Sequence, residues 1–338
     1  MSESKFYHFP ATGSFYGIAT LEEAVAAVGE AGFVWFNFYK PTKEVLFSLV
    51  DKIGIHPLSV EDCFDEEQVP KIEYFTNNTF IIFNSFSYAN SSLFIDEVNL
   101  FIGQNFLITV SGHKSDERRP LNNITDIIEK GNTNGKAGPD FLMHIVLDWL
   151  VDEKYKAFDD MEEELESAEE SLLDDVEKFQ PVQLITMRKN LMRLRKTLYH
   201  EREILVKICR LDCPYISEKA IVHYRDIYDH LAKFFELTET YREIETSLME
   251  LYTSLLNNLM TKMSNDTNNS VRRLTLIATI FMPLTLLASI GGMSEWSMMT
   301  GPDRWKITYP LFILGMIVIG FVNYWFIRRM EKRKKPNL

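Results

Sequence analysis

Small polar side chains recur three and four residues apart along one C-terminal segment of the chain. Because an α-helix has 3.6 residues per turn, residues at this spacing lie on one face. Amides and hydroxyls aligned on a helix face meet either a partner helix or water. We call this face the polar stripe, and its members are Asn257, Thr261, Ser264, Asn268, Val271, Leu274, Ala278, Met282, Thr285, Ser289 and Gly292.

The order of residues along the polar stripe favours a water-filled pore over simple helix packing. The stripe passes from the amides of Asn257 and Asn268, through the apolar side chains of Val271 and Leu274, to hydroxyls such as Ser289. Rings of such residues from several subunits would make a wet channel with an apolar constriction. One helix cannot enclose a pore, so this interpretation requires an oligomer.

Two uncharged stretches, residues 274–293 and 307–327, are long enough to cross a membrane. As helices they extend about 30 Å, the thickness of the hydrocarbon core of a bilayer. Basic residues precede the first stretch and follow the second, which places both chain ends in the cytoplasm. The sequence thus predicts an integral protein of the plasma or inner membrane. Its membrane part comprises a pore-lining first span at 271–293, an external loop at 294–306, a second span at 307–327 and a basic cytoplasmic tail at 328–338.

The rest of the chain predicts an α+β cytosolic domain followed by long helices. An aromatic segment at 33–39 predicts a strand, and apolar residues at helical spacing after Thr42 predict a helix. Turn residues at 76–78 and 103–105 separate β-forming segments, which predicts two hairpins. A mixed sheet flanked by helices is therefore expected over residues 1–135, and acidic helices with a long stalk helix over 136–270. The stalk helix is expected to begin near Ser217 and shows no obvious Pro or Gly break before Pro283, which lies inside the first span.

The segment 159–177 contains eleven Asp or Glu residues and no Lys or Arg. Charges this dense repel one another at i,i+4, so counter-cations would favour the helix. One interpretation is a solvated acidic face. The other is a sensor of divalent cation, because carboxylate oxygens are the ligands that hard ions such as Mg²⁺ take. The candidate ligands are Asp159, Asp160, Glu163, Glu166, Glu170 and Asp174.

Charge and motif content disfavour two other classes of protein. Residues 1–273 carry a formal charge of about −17, which attracts cations and argues against nucleic acid as a partner. A cluster close together in the sequence could suggest a metallo-hydrolase, and its members are His56, Glu61, Asp62 and Glu66. No nucleophile motif accompanies them, however, and a histidine directly before Pro57 is typical of a helix cap. We therefore expect no enzyme activity.

Two segments resemble the CorA family of divalent-cation channels. They are GIHPLSVEDCFDEEQVPKIEYF at 54–75 and SNDTNNSVRRLTLIATIFMPLTLLASIGGM at 264–293, and they occur in the order found in the family. The resemblance implies a funnel-shaped homopentamer in the lipid bilayer that conducts Mg²⁺. It also implies that divalent cation bound between the cytosolic domains holds the channel closed. Four ions are candidates for the transported ion: Mg²⁺, Co²⁺, Ni²⁺ and Zn²⁺.

By position, the resemblance assigns a role to each part of the polar stripe. Asn268 corresponds to an amide ring at the inner end of the pore, and Val271 and Leu274 correspond to the apolar gate. Val271 stands where relatives place a larger methionine, so a looser constriction is expected. The remaining pore-lining residues are Ala278, Met282, Thr285 and Ser289.

The outer end of the first span departs from the family signature, which is Gly-Met-Asn. Here the residues are Gly292, Met293 and Ser294, followed by Glu295. A serine has one polar side-chain atom where asparagine has two, so a wider and less discriminating mouth is expected. Five copies of Glu295 would form a carboxylate ring that attracts cations. The alternative is a non-conducting, membrane-anchored cation sensor that kept the fold but lost the filter.

Overall fold

The structure is a computed structural model that describes residues 4–12, 14–65, 68–112, 121, 128, 138–292, 301 and 304–333. The chain divides into two compact units, Met1–Thr253 and Ser254–Leu338. One helix, Ile221–Gly291, contributes residues to both units.

A seven-stranded mixed sheet forms the centre of the first unit. Its strands are β1 (Lys5–Pro10), β2 (Tyr16–Ile18), β3 (Gly32–Tyr39), β4 (Lys71–Tyr74), β5 (Thr79–Ala89), β6 (Ser92–Ile102) and β7 (Phe106–Ser111). The order across the sheet is β2-β1-β3-β7-β6-β5-β4. All neighbours are antiparallel except β3 and β7, which are parallel. The α+β class is confirmed, and both predicted hairpins are present as β4–β5 and β6–β7.

Seven helices follow or interrupt these strands in the described part of the chain. They are α1 (Leu21–Ala27), α2 (Lys43–Ile53), α3 (Pro57–Asp62), α4 (Pro139–Asp174), α5 (Val182–Cys209), α6 (Ile221–Gly291) and α7 (Trp305–Arg333). Residues of α1, α2 and α3 share one hydrophobic core with alternate residues of β3, including Val34 and Phe36. The long helix α4 packs against β5. The sheet is therefore covered by helices, as the sequence predicts.

The motif around His56 joins two helices through a histidine cap. Helix α2 ends at Gly54, whose φ of 83° suits glycine, and α3 begins after His56. The ring of His56 accepts a hydrogen bond from Leu58 N at 3.3 Å and stacks on Phe75 with ring centroids 4.3 Å apart. The predicted helix cap is thus confirmed. Asp62 forms an ion pair with Lys71 at 2.7 Å.

A fully buried ion pair joins α4 and α5. Lys154 Nζ lies 2.6 Å from Glu201 Oε2, and neither side chain is exposed. The ammonium also lies over the rings of Phe83 and Phe86, and Glu201 Oε1 accepts a hydrogen bond from Asn84 N at 3.0 Å. Burial lowers the pKa of Lys154 and raises that of Glu201. The pair connects two helices to β5.

In the second unit, α6 continues through Pro283 to Gly291, so the stalk and the first predicted span form one helix. Proline has no N–H, which leaves the carbonyl of Thr279 without its helical hydrogen bond but does not end the helix. Helices α6 and α7 pack together: a Cβ added to Gly291 would lie 2.7 Å from the Phe312 ring, and one added to Gly320 would lie 3.5 Å from Leu284. By length and composition, α6 and residues Lys306–Ile327 of α7 can each cross a membrane.

Candidate ion-conduction site

The polar stripe lies on one face of α6, and every member is exposed in the single chain. Val271, Leu274 and Met282 keep 54%, 67% and 71% of their surface exposed. Apolar side chains this exposed need lipid or further copies of the chain to cover them. A single chain therefore presents the stripe but encloses no path.

Helix α7 covers the opposite face of α6. At 3.6 residues per turn, the half-buried residues of α6 lie about 180° around the helix from the polar stripe. These half-buried residues are Leu276, Ile280, Pro283, Leu284, Leu287 and Gly291. Packing against α7 thus leaves the polar stripe available to other subunits or to water.

Three hydroxyl groups of the polar stripe donate their protons to the helix itself. Thr285 Oγ1 donates to Phe281 O at 2.8 Å, and Ser289 Oγ donates to Thr285 O at 2.9 Å. Thr261 Oγ1 donates to Asn257 O at 2.8 Å. A hydroxyl whose proton is used in this way offers only its lone pairs to the outside. Waters around a cation donate hydrogen bonds outward, so these oxygens suit a hydrated cation.

Of the four residues predicted at the pore mouth, the structure describes Gly292. Its N–H donates to Ala288 O at 3.0 Å, which extends the hydrogen-bond pattern of α6 by one residue. Met293, Ser294 and Glu295 lie outside the described residues.

The six acidic residues predicted as regulatory ligands are exposed on α4, and all but Asp160 recur three or four residues apart, which places them on one helix face. Asp159 and Glu166 lie toward Tyr241 of α6, and they help to raise the pKa of that phenol. Asp160 and Glu163 instead line a groove beside the β5–β6 turn. Glu170 and Asp174 follow further along the helix. Among the described residues, no three His, Cys, Asp or Glu side chains converge to hold a metal ion.

A second acidic cluster, which sequence reasoning missed, lies between α4 and the start of α6. Burial raises the pKa of Asp148, and repulsion from Asp226 adds to this effect. Burial also raises the pKa of Asp152, with repulsion from Asp148 as the next cause. His230 Nε2 lies 3.7 Å from Asp226 Oδ2, and its Nδ1 lies 2.7 Å from the hydroxyl of Tyr155. The i,i+4 spacing of Asp148 and Asp152 could have predicted that these two carboxylates share a helix face. Asp226 is distant in sequence, so its place beside them could not be predicted.

Comparison with known proteins gives consistent matches over most of the chain. The family model described as "CorA-like Mg2+ transporter protein" matches residues 30–329. The cobalt/magnesium transport protein CorA of Thermotoga maritima is 33% identical over 276 residues, which cover 80% of this chain and 75% of that protein. A putative metal ion transporter of Bacillus subtilis is 30% identical over 302 residues, which cover 87% and 88%. The complete structure of the CorA magnesium transporter from Methanocaldococcus jannaschii superposes with a TM-score of 0.70 at 23% identity, covering 96% of this chain and 97% of that one.

Proposed function

Because this chain belongs to the CorA-like Mg²⁺ transporter family, we propose that it is a channel for divalent cations in the cell membrane. Mg²⁺ is the first candidate ion, and Co²⁺, Ni²⁺ and Zn²⁺ are the others. The observation that carries the proposal is the polar stripe, exposed along α6 on the face opposite α7. Five copies placed around an axis would turn this face into the wall of a pore.

Each part of the polar stripe has a role in this pore. Asn268 supplies amides at the cytoplasmic end, while Val271 and Leu274 narrow the path with apolar side chains. Thr285 and Ser289 supply hydroxyl oxygens that accept hydrogen bonds from the waters of the ion. Ala278 and Met282 line the stretch between gate and hydroxyls. In this proposal both chain ends lie in the cytoplasm. The relatives are transporters, so no catalytic activity is proposed.

Cysteine accessibility tests which face of α6 lines the pore. In a variant without the native cysteines, Thr285→Cys is expected to lose divalent uptake by about tenfold or more when a charged, membrane-impermeant thiol reagent is added, because the adduct blocks a narrow path. Leu287→Cys, on the face toward α7, is the matched control and should keep its uptake. Equal block at both positions, or at neither, would contradict the assignment.

Intracellular divalent cation regulates the channel in this proposal. The acidic surfaces of the first unit supply the attraction: burial raises the pKa of Asp148 and of Asp152, and repulsion from a neighbouring carboxylate adds to this effect in both cases. No three such groups converge within the described part of one chain, so ligands from neighbouring copies must complete a site. Bound cation would then hold the cytosolic units together and the pore closed.

Divalent cation is expected to raise the melting temperature of the solubilised protein. At a Mg²⁺ concentration 100 times its dissociation constant, a ligand of the folded state adds about 2.7 kcal/mol. The gain should be present at neutral pH and be lost as pH falls through the pKa of Asp148 and Asp152, since a protonated carboxyl cannot bind the ion. That loss begins at a higher pH than for an ordinary aspartate, because both pKa values are raised. Differential scanning fluorimetry with and without Mg²⁺ measures this, and an unchanged melting temperature at neutral pH would count against regulation by cation.

A further inference from the structure

The two sides of α6 in the first unit carry opposite charge. On one side, acidic residues at helical spacing on α4 face α6: the hydroxyl of Tyr241 donates to Glu162 Oε2 at 2.9 Å, and Asp159 and Glu166 lie near the same phenol. Lys233 also reaches this side, over the ring of Tyr155. We call this surface the acidic flank, and it comprises Asp159, Glu162 and Glu166, below the cluster of Asp148, Asp152 and Asp226 that the proposed function assigns to cation binding.

A basic groove lies on the other side, between α5 and α6. It encloses a volume of about 550 Å³, and its lining includes Arg188, Met192, Arg195, Lys196, Tyr199 and Arg242. Two carboxylates also belong to this surface. Arg188 pairs with Glu245 at 3.0 Å, while Arg195 pairs with Glu239, which Arg242 contacts at 2.9 Å. Four cations against two carboxylates leave the basic groove with a positive charge, in a unit that is strongly acidic as a whole.

Large apolar side chains are exposed in the same groove. Met192 and Tyr199, seven residues apart on α5, keep 61% and 52% of their surface exposed. Ile185 continues the row one heptad earlier and is 46% exposed. Arg, Tyr and Met are the residue types enriched in protein–protein interfaces. A small anion would neutralise the guanidinium groups but leave this apolar row in water, so the groove fits a protein partner better.

We propose that the acidic flank of one copy docks into the basic groove of the next copy. A ring with rotational symmetry needs a heterologous contact, in which two different surfaces of the same chain are complementary. The acidic flank and the basic groove lie on either side of one helix and have opposite charge, as such a contact requires. Opposed charges at an interface fix the partner and the register. The inference rests on the proposed ring assembly and identifies the cytosolic surfaces that form it.

Cross-linking between copies tests the contact while replacing only one charged residue on each of the two surfaces. In a full-length variant without the native cysteines, Lys196→Cys and Asp159→Cys are introduced into the same chain, and a bifunctional thiol reagent is added to the solubilised protein. A ladder from dimer to pentamer is expected, because each link joins different surfaces of neighbouring copies. Each single-cysteine chain should give no ladder. A chain with Lys207→Cys and Asp159→Cys is the control, since Lys207 is exposed on α5 outside the groove lining.

Charge reversal tests whether the contact contributes to assembly. Met192→Glu with Lys196→Glu, or Asp159→Lys with Glu166→Lys, should each raise the dissociation constant of the pentamer about tenfold or more, because like charges then face each other. The chain with all four changes should recover assembly, and Lys207→Glu should leave it unchanged; native mass spectrometry on dilution measures this. The proposal would be overturned, with the channel left intact, by a pentamer that gives no ladder and whose dissociation constant is unchanged by either pair of substitutions. A small anion bound in the basic groove would overturn it as well. A protein that is monomeric before any substitution would overturn the ring itself.

Discussion

Glu295→Gln is expected to reduce the uptake of divalent cations about tenfold, because it removes one negative charge per subunit from a narrow entrance where the electric field is focused. In the proposed pore, five copies of Glu295 would surround the path beside Ser294, which the resemblance equates with the asparagine of the family signature. The carboxylate ring then raises the local concentration of cations, and the loss should be largest at low ionic strength. Flux into liposomes, measured with and without added salt, tests both parts.

Substitutions of Ser294 are expected to change the rate of flux less than Glu295→Gln does, and to change the ion selectivity more. Ser294→Ala should cause a smaller loss, because the waters of the ion can turn toward exposed backbone carbonyls nearby. Ser294→Asn restores the family signature and should sharpen the preference for Mg²⁺, which dehydrates reluctantly and is recognised with its waters in place. If Ser294→Ala abolished flux while Glu295→Gln left it intact, the assignment at the mouth would be wrong. An unchanged ion ranking after Ser294→Asn would also contradict it.

Lys154→Ala is expected to destabilise the first unit by about 3–5 kcal/mol, because it leaves the carboxylate of Glu201 buried without its counter-charge. Glu201 is fully buried, and its other oxygen already accepts from the backbone of Asn84. The melting temperature of the solubilised protein should fall accordingly. Lys156→Ala is the matched control on the same helix: its side chain is 73% exposed and pairs with Glu153, so a change under about 1 kcal/mol is expected.

The double variant Lys154→Met with Glu201→Leu separates a charge effect from a packing effect. Replacing both members of a buried pair by apolar residues of similar volume is often neutral or stabilising. Here the backbone N–H of Asn84 loses its hydrogen-bond acceptor, which lowers the free energy of unfolding by about 1–3 kcal/mol. The double variant should therefore be more stable than Lys154→Ala. A double variant as unstable as Lys154→Ala would mean that shape rather than charge determines the stability at this position.

Local signals were sufficient to predict much of the fold. The hairpins at 76–78 and 103–105 follow from turn residues between β-forming segments, and the cap at His56 follows from the proline after it. The polar stripe was visible because a helix of known period places its members on one face. Helix α6 continues through Pro283, because the i−4 hydrogen bond that this proline removes is a local loss that a long helix tolerates.

Features that depend on distant residues could not be predicted. Lys154 and Glu201 lie on different helices, and nothing in either neighbourhood indicates the other. The same holds for Asp226 beside Asp148, and for Arg188 beside Glu245. The acidic residues of α4 are exposed in the structure, but the neighbours that they face became apparent only with the positions of α6 and the β5–β6 turn.

The central claim is that this chain moves divalent cations through a pore lined by the polar stripe. Flux through the purified, unmodified protein in liposomes tests it most directly, with Mg²⁺, Co²⁺, Ni²⁺ and Zn²⁺ offered in turn. Uptake of Mg²⁺ well above that of empty liposomes is expected, together with a measurable uptake of at least one of the other ions. Binding of Mg²⁺ with no flux of any of the four ions would contradict it, and would identify the protein as a cation sensor that kept the fold and lost the filter.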